Sequence, residues 1–236
     1  MAGPTDTNPP PRTPLSRERV LHAAIAIADE RGLESLTMRR LGSHLGVEAM
    51  SLYKHVASKE EILDGIVDIV IGEIGLPSAE ADWKTAMRQR AISARQVLAS
   101  HPWAIGMMES REAMGSATLR YTDAVIASLR TAGFSVENAA HAFLLLDSYI
   151  YGFVVQETSF QVGGHEETEE SAEAVLQTSA VDQYPHLAEM ATEYVTRPGD
   201  NYAHEFEFGL DLILDGLETH RDGRQVQGTG GPPEVS

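Results

Sequence analysis

The chain has 236 residues, a formal charge of −17 and no cysteine. That length allows one large domain, or a small one joined to a medium one, with a sizeable core. The missing thiols exclude disulfide scaffolds, thiolate metal sites and cysteine nucleophiles, and the charge argues against a histone-like coat on nucleic acid. The charge is unevenly placed, however. Residues 1–60 hold 8 basic and 7 acidic side chains and the remainder hold 10 and 28, so nearly the whole acidic excess follows residue 60. No apolar run approaches the roughly 20 residues needed to span a bilayer. The prolines of MAGPTDTNPPPRTPL stand where an export signal needs an apolar stretch, so the expected location is the cytoplasm.

Of 11 prolines, five fall in the first 14 residues and two more are Pro232 and Pro233. Residues 1–15 and 221–236 are therefore expected as disordered tails around a folded part. Within it, apolar spacings of three and four recur and no period-two alternation stands out, so the fold class is all-α. A first helix is predicted from Ser16 to Arg31, with Val20, Leu21, Ala24, Ile25, Ile27 and Ala28 on one stripe and Gly32 as a left-handed cap. A second starts at Thr37, whose hydroxyl suits an N-cap, and turns Leu41 and Leu45 inward. Gly46 follows, then a short third helix over 48–55. Ser58-Lys59-Glu60-Glu61 has the form of a capping box and opens a fourth helix to about Ile74. Further helices are expected near 82–100, 103–109, 111–132, 135–160, 185–196 and 201–219.

Residues 37–55, TMRRLGSHLGVEAMSLYKH, place two short helices around a glycine turn, with Leu41, Leu45, Leu52 and Val56 able to share one small core. That is a helix-turn-helix arrangement, with the second helix pushed outward. Its exposed face offers Ser51, Lys54 and His55, flanked by Arg39, Arg40 and Lys59, and these groups suit a polyanion; Ser51 and Tyr53 can donate to phosphate oxygens without a charge cost. Ala49 and Met50 cannot hydrogen-bond a base edge but could touch a thymine methyl. The plainer alternative is a buried helical hairpin with a solvated charged face.

From Ser16 to Leu63 the chain resembles the tetracycline-repressor (TetR) family of bacterial transcriptional regulators. GLESLTMRRLG, LGV, SLYKHV and SKEEILD carry the likeness. A looser likeness, in SHPWAIGMM, LRTAGFSVENAAHAF, YGFVVQE and FEFGLDLILDGL, points to the effector domain of the subgroup that includes the tetracycline repressor. The resemblance implies a DNA-binding domain over 16–61 and an effector-binding and dimerisation domain over 62–220. It implies DNA contacts from Arg39, Ala49, Met50, Ser51, Tyr53, Lys54, His55 and Lys59, with Thr37 and Tyr53 as phosphate anchors. Ala49 and Met50 replace the Gln and Pro of tetracycline repressors, and Met38 replaces a small polar residue, so the operator sequence is not inherited.

In the second half, residues 139–155 are apolar almost all round, which calls for burial by the helix's own domain on one side and by another chain or a ligand on the other. The last helix repeats the theme with Phe206, Phe208, Leu210, Leu212, Ile213, Leu214 and Leu217. The resemblance implies a homodimer through helices 135–160 and 201–219, which a palindromic operator requires. Asp147, within the apolar run, either pairs with Arg90 or Arg95 or contacts a ligand. Met87, Trp103, Met107, Met108, Met114, Tyr121, Phe143 and Tyr151 are either core packing or, as a set, the wall of an adaptable apolar pocket. The expected ligand set is Met87, Arg90, Trp103, Met107, Met108, Tyr121, Phe143, Asp147 and Tyr151. Where the tetracycline subgroup uses a magnesium-binding His, a second His, an Asn and a Phe, this chain has Met108, Gly75, Arg90 and Ala94. The resemblance therefore implies a small, largely apolar effector with no metal or other cofactor.

An enzyme is not expected: there is no P-loop, no G-x-S-x-G and no H-E-x-x-H, and the histidines are scattered. The pairs Glu137/His141, His186/Glu189 and His204/Glu207 suit surface contacts. The acidic run from Glu166 to Glu173 after Gly163-Gly164 is expected as a solvated loop or a mobile cover of the pocket. The runner-up reading is a dimeric small-molecule-binding module without DNA function.

Overall fold

The computed structural model describes residues 14–110, 114–177, 184–190 and 202–221, and these are helical with no strand among them. They divide into two compact units between Val67 and Asp68. Residues 1–13 and 222–236 of the expected tails lie outside the described residues.

The first unit holds α1 (Arg17–Arg31), a 3-10 turn (Leu33–Ser35), α2 (Met38–Leu45), α3 (Ala49–Leu52) and the start of α4 (Lys59–Glu73). Short-range chemistry sets the helix starts. Ser16 Oγ accepts from the Arg19 amide (3.2 Å) and Thr37 Oγ1 from the Arg40 amide (3.2 Å), each taking up an amide that the helix leaves free. Gly32 has φ +77° and ψ 156°, a positive φ as expected but outside the left-handed helical region. Ser58 Oγ accepts from the Glu61 amide (3.2 Å), while the Glu61 carboxylate reaches back to the Ala57 amide (2.6 Å), one residue before the reciprocal bond of a standard box. Leu36, Leu41, Leu52, Val56, Ile62 and Ile66 form the floor together with Val20, Leu21, Ala24 and Ile27 of α1. Leu45, expected inward, is only half-buried.

The second unit continues with α5 (Trp83–Ser100), α6 (Trp103–Ser110), α7 (Ser116–Thr131), α8 (Val136–Gln177), α9 (Pro185–Met190) and α10 (Tyr202–Arg221). Helix α8 is its axis, with α5, α7 and α10 packed on it. Ala91, Ala94 and Leu98 of α5 and Ala142, Leu146, Ile150 and Val154 of α8 repeat at three and four and are fully buried. Helix α8 runs on to Gln177, so the expected loop after Gly163-Gly164 is helical backbone instead. Glu, Ala, Leu and Gln dominate residues 166–177, and their helix propensity outweighs a cost of about 1 kcal/mol per interior glycine. Of the helix expected over 185–196, residues 191–196 lie outside the described residues.

Candidate nucleic-acid interface and effector site

In the first unit, the α2–α3 turn raises α3 clear of the core. Gly46 is left-handed (φ 69°, ψ 32°); its amide donates to Ser43 O (3.2 Å) and the Val47 amide donates to Gly42 O (2.9 Å), closing α2 in a Schellman pattern. Gly42 sets how closely the helices approach. A Cβ there would lie 2.9 Å from Val47 O and 3.1 Å from Ala49 N, both backbone atoms that cannot swing aside. Sequence reasoning singled out Gly46 and passed over Gly42, although a glycine inside a short helix is the available signal. Beneath the pair, Leu41 and Leu52 are fully buried, and burial of such side chains stabilises by about 1.5–3 kcal/mol each.

On the outer face Met50 is 75% exposed and Tyr53 45%. Thr37, Arg39, Arg40 and Lys54 are exposed as well, while Ala49, Ser51, His55 and Lys59 are half-buried. The expected third helix is shorter than 48–55. Its α-helical part ends at Leu52, and residues 53–55 follow as turns in which the His55 amide donates to Leu52 O (2.8 Å). Tyr53, Lys54 and His55 thus project from the end of the helix. Arg40 donates to Ser35 O (2.8 Å), which fixes its stem over the 3-10 turn. Arg39, Lys54 and Lys59 have no ion-pair partner among the described residues. A raised, half-apolar helix end bordered by uncommitted cations can make phosphate contacts and present side chains to base edges.

In the second unit, a polar cluster lies inside the α5–α7–α8 packing. Arg90 is 1% exposed and Asp147 7%. The Arg90 Nη2 donates to Asp147 Oδ1, Arg90 Nε donates to the Tyr121 hydroxyl (2.5 Å), and the Tyr151 hydroxyl donates to Asp147 Oδ2 (3.2 Å). Of the partners left open for Asp147, Arg90 is the one found. Arg95 instead makes a two-pronged pair with Glu157 (2.8 and 2.5 Å), a carboxylate that sequence reasoning did not single out. Burial, opposed by the pull of Arg90, pushes the Tyr121 phenol up to about 12, and burial together with the Asp147 charge raises Tyr151. Both hydroxyls therefore stay protonated at neutral pH. The third Arg90 nitrogen, Nη1, is buried and has no hydrogen-bond partner among the described residues. The Arg90 guanidinium also lies 5.0 Å from the Tyr121 ring and 5.9 Å from the Phe143 ring.

The structure thus brings Arg90, Tyr121, Phe143, Asp147 and Tyr151 together. Met87 is fully buried on α5, and Trp103, Met107 and Met108 are half-buried on α6. Met114 is 64% exposed, which places it on the surface rather than in a pocket wall. A separate apolar face remains open on α8 and α10. Leu144, Leu145, Val155, Phe208 and Leu212 are exposed there, beside a groove of about 500 Å³ that includes Ile213 and Leu217.

Residues 20–66 match the family described as bacterial regulatory proteins, tetR family, and residues 76–221 match the tetracyclin repressor-like C-terminal domain. The HTH-type transcriptional repressor DrrR1 of Streptomyces coeruleorubidus is 31% identical over 217 residues, covering 88% of this chain and 79% of that protein. The tetracycline repressor protein class C of Escherichia coli is 29% identical over 88% of this chain and 92% of its own. Among solved structures, the Streptomyces coelicolor TetR family protein ActR in complex with actinorhodin superposes with a TM-score of 0.73 at 26% identity, covering 88% of this chain and 98% of that one. The chain belongs to the TetR family and is a ligand-responsive, DNA-binding transcriptional regulator.

Proposed function

We propose that the protein is a repressor that binds a palindromic operator as a homodimer and is released by a small, largely apolar effector. The observation that carries the DNA-docking part is the exposed row of Arg39, Met50, Tyr53 and Lys54 on a helix pair held from beneath by Leu41 and Leu52. In this reading each protomer places residues 48–55 in a major groove. Thr37, Arg39, Arg40, Ser51, Tyr53, Lys54, His55 and Lys59 face the phosphates, and Ala49 and Met50 reach thymine methyls. The open apolar face of α8 and α10 supports pairing of protomers through those helices. The DNA-bound protein works in the cytoplasm.

The effector site comprises Met87, Arg90, Trp103, Met107, Met108, Tyr121, Phe143, Asp147 and Tyr151. Asp147 already offsets the Arg90 charge, so Nη1 offers a hydrogen bond without a net charge and suits a neutral acceptor on an apolar body. Met108, Gly75, Arg90 and Ala94 support an effector held without magnesium. Binding shifts α4 and changes the separation of the recognition helices away from the roughly 34–36 Å between successive major grooves. Release then requires only differential affinity for the two spacings.

Fluorescence anisotropy with DNA from beside the protein's own gene tests the docking face. Tyr53→Ala weakens binding while sedimentation shows an unchanged dimer, and wild-type affinity in that variant would refute the assignment. Lys54→Ala reduces the slope of log K against log salt by about 0.9 per lost phosphate contact. Calorimetry with tetracycline is expected to show no magnesium-dependent heat, and such heat would overturn the effector class.

A further inference from the structure

Helix α4 is one continuous helix, yet its residues belong to both units, which divide after Val67. Its first half is seated on α1. Arg17 Nε donates to Glu61 Oε1 (3.1 Å), and a Cβ at Gly65 would lie 2.8 Å from both methyl carbons of Leu21. Its second half carries Asp68, a charged residue inside the apolar run GIVDIVIG. Asp68 belongs to neither the DNA face nor the effector cluster. Its carboxylate accepts from the Thr118 amide (2.9 Å), the Thr118 hydroxyl (3.1 Å) and the Ala117 amide (3.2 Å).

Those amides are free groups in the first turn of α7, whose own N-cap position, Gly115, supplies no side-chain cap. Asp68 therefore does for α7 what an N-cap side chain does for its own helix, but from 49–50 residues away and from a different helix. Gly115 leaves room for this, since a Cβ there would run into the Asp68 carboxylate. One turn beyond Ala117, on the same buried face of α7, is Tyr121, whose hydroxyl accepts from Arg90. Helix α7 is thus held by α4 at its first turn and by the Arg90–Asp147 cluster at its second.

We infer that Asp68 is the positioning residue that makes α4, and with it the helix-turn-helix unit, follow α7 when the Arg90 cluster rearranges. Resting on the effector site proposed above, the inference adds the part through which that site acts. A molecule that competes for Arg90 disturbs the Tyr121 contact, α7 moves, and the three bonds to Asp68 carry the movement into α4. With Asp68 removed, the effector site and the DNA face both survive and their coupling is lost.

The absence of cysteine permits a direct test. Ala26→Cys, on the exposed side of α1, carries a spin label, and electron–electron resonance reads the label-to-label distance across the full-length dimer. Tyr121→Phe, which removes the acceptor of the Arg90 bond, stands in for an effector. Tyr121→Phe is expected to shift the distance distribution when Asp68 is present. Asp68→Ala is expected to broaden it and to abolish the response to Tyr121→Phe. In operator binding, the Tyr121→Phe effect, within the roughly 5–150-fold range of allosteric coupling, falls to nothing in the Asp68→Ala background. A merely structural cap would lower the melting temperature and leave the two substitutions additive in both readouts, which overturns the inference. So does an unbroadened distribution in Asp68→Ala. If Asp68→Ala broadens the distances while Tyr121→Phe alone moves neither readout, the coupling from the Arg90 cluster is refuted and Asp68 is left as a cap of α7, whereas the effector-site reading is tested separately by ligand binding. Asp68→Asn, which keeps one acceptor oxygen for Thr118, gives an intermediate width and is the variant to use if the alanine chain does not fold.

Discussion

Removing the Asp147 carboxylate alone should be one of the most damaging single changes in the second unit. Arg90 is 1% exposed, and its side chain keeps only the neutral Tyr121 hydroxyl once Asp147 is gone, because Nη1 has no partner among the described residues. A buried charge stripped of its counter-ion costs about 3–5 kcal/mol. For a chain of this size each kcal/mol lowers Tm by about 2–4 °C, so Asp147→Leu is expected to lose about 6–20 °C. Asp147→Asn keeps an acceptor oxygen near Nη2 and loses the charge, and should cost about 1.5–3 kcal/mol, the range for hydrogen bonds to charged groups. Replacing both members, as in Arg90→Met with Asp147→Leu, removes the orphan charge and should recover most of the loss. Circular dichroism melts at one fixed protomer concentration measure the series, since the melting point of a dimer depends on concentration. The required order is wild type, then the double variant or Asp147→Asn, then Asp147→Leu. A loss below about 1 kcal/mol in Asp147→Leu would mean that water reaches the guanidinium, and the reasoning from burial would be wrong.

Gly42→Ala forces α2 and α3 apart against backbone atoms, so it should destabilise the first unit by about 1–3 kcal/mol and weaken operator binding, as measured by urea unfolding and anisotropy. Leu212→Glu puts a charge on a side chain that is 60% exposed in the isolated protomer; sedimentation should show monomers, and operator binding should fall with the dimer. The Ala57 amide, followed by Arg17, holds the Glu61 carboxyl below its usual 4.5. The folded pKa is depressed, so this contribution is complete above 4.5 and is lost as pH falls through the lower folded value. Exchange protection of the Ala57 amide should decline over that window in wild type and be pH-independent in Glu61→Gln.

What the sequence made legible follows the range of the interactions. Thr37 and Ser58 each cap a helix through an amide three residues on, and Gly46 closes α2 with its own backbone, so a local reading finds them, whereas Ser16, expected as the first residue of the first helix, is its N-cap. The apolar stripe of α8 was equally visible, but its end was not: two adjacent glycines are a local stop signal, and the residues after them favour continuation. Asp147 shows where local reading stops. A carboxylate in an apolar run needs a partner, but which of Arg90 and Arg95 it meets depends on how α5 crosses α8, and that is set by packing of Ala91, Ala94 and Leu98. Asp68 and Glu157 were missed for the same reason, since each answers a group 49–62 residues away. The recognition helix fell between these cases, with its position read correctly and its length overestimated. Residues 53–55 carry side chains compatible with a helix, but the Lys54 and His55 amides bond three residues back rather than four and the Tyr53 amide turns to Ser51 O; the four-residue spacing returns only with Val56 to Leu52.

The side-chain pairing also explains how a chain of −17 can hold DNA at one place. After residue 60, Lys84, Arg88, Arg90, Arg95 and Arg221 are each engaged by a carboxylate, and Arg130 donates to the Phe134 carbonyl. Few of the basic groups among the described residues of the second unit are left to meet phosphate, while its surplus of carboxylates repels it. In the first unit the balance of pairing is reversed, because Arg39, Lys54 and Lys59 lack ion-pair partners among the described residues. A polyanion is therefore attracted to one face and repelled elsewhere, over distances of about a Debye length, 8–10 Å at ordinary salt. That arrangement lowers nonspecific affinity without weakening the docked complex. It follows that neutralising acidic side chains on the second unit should raise binding to random DNA more than binding to the operator. An equal rise in both would refute the proposed confinement of DNA contact to the first unit.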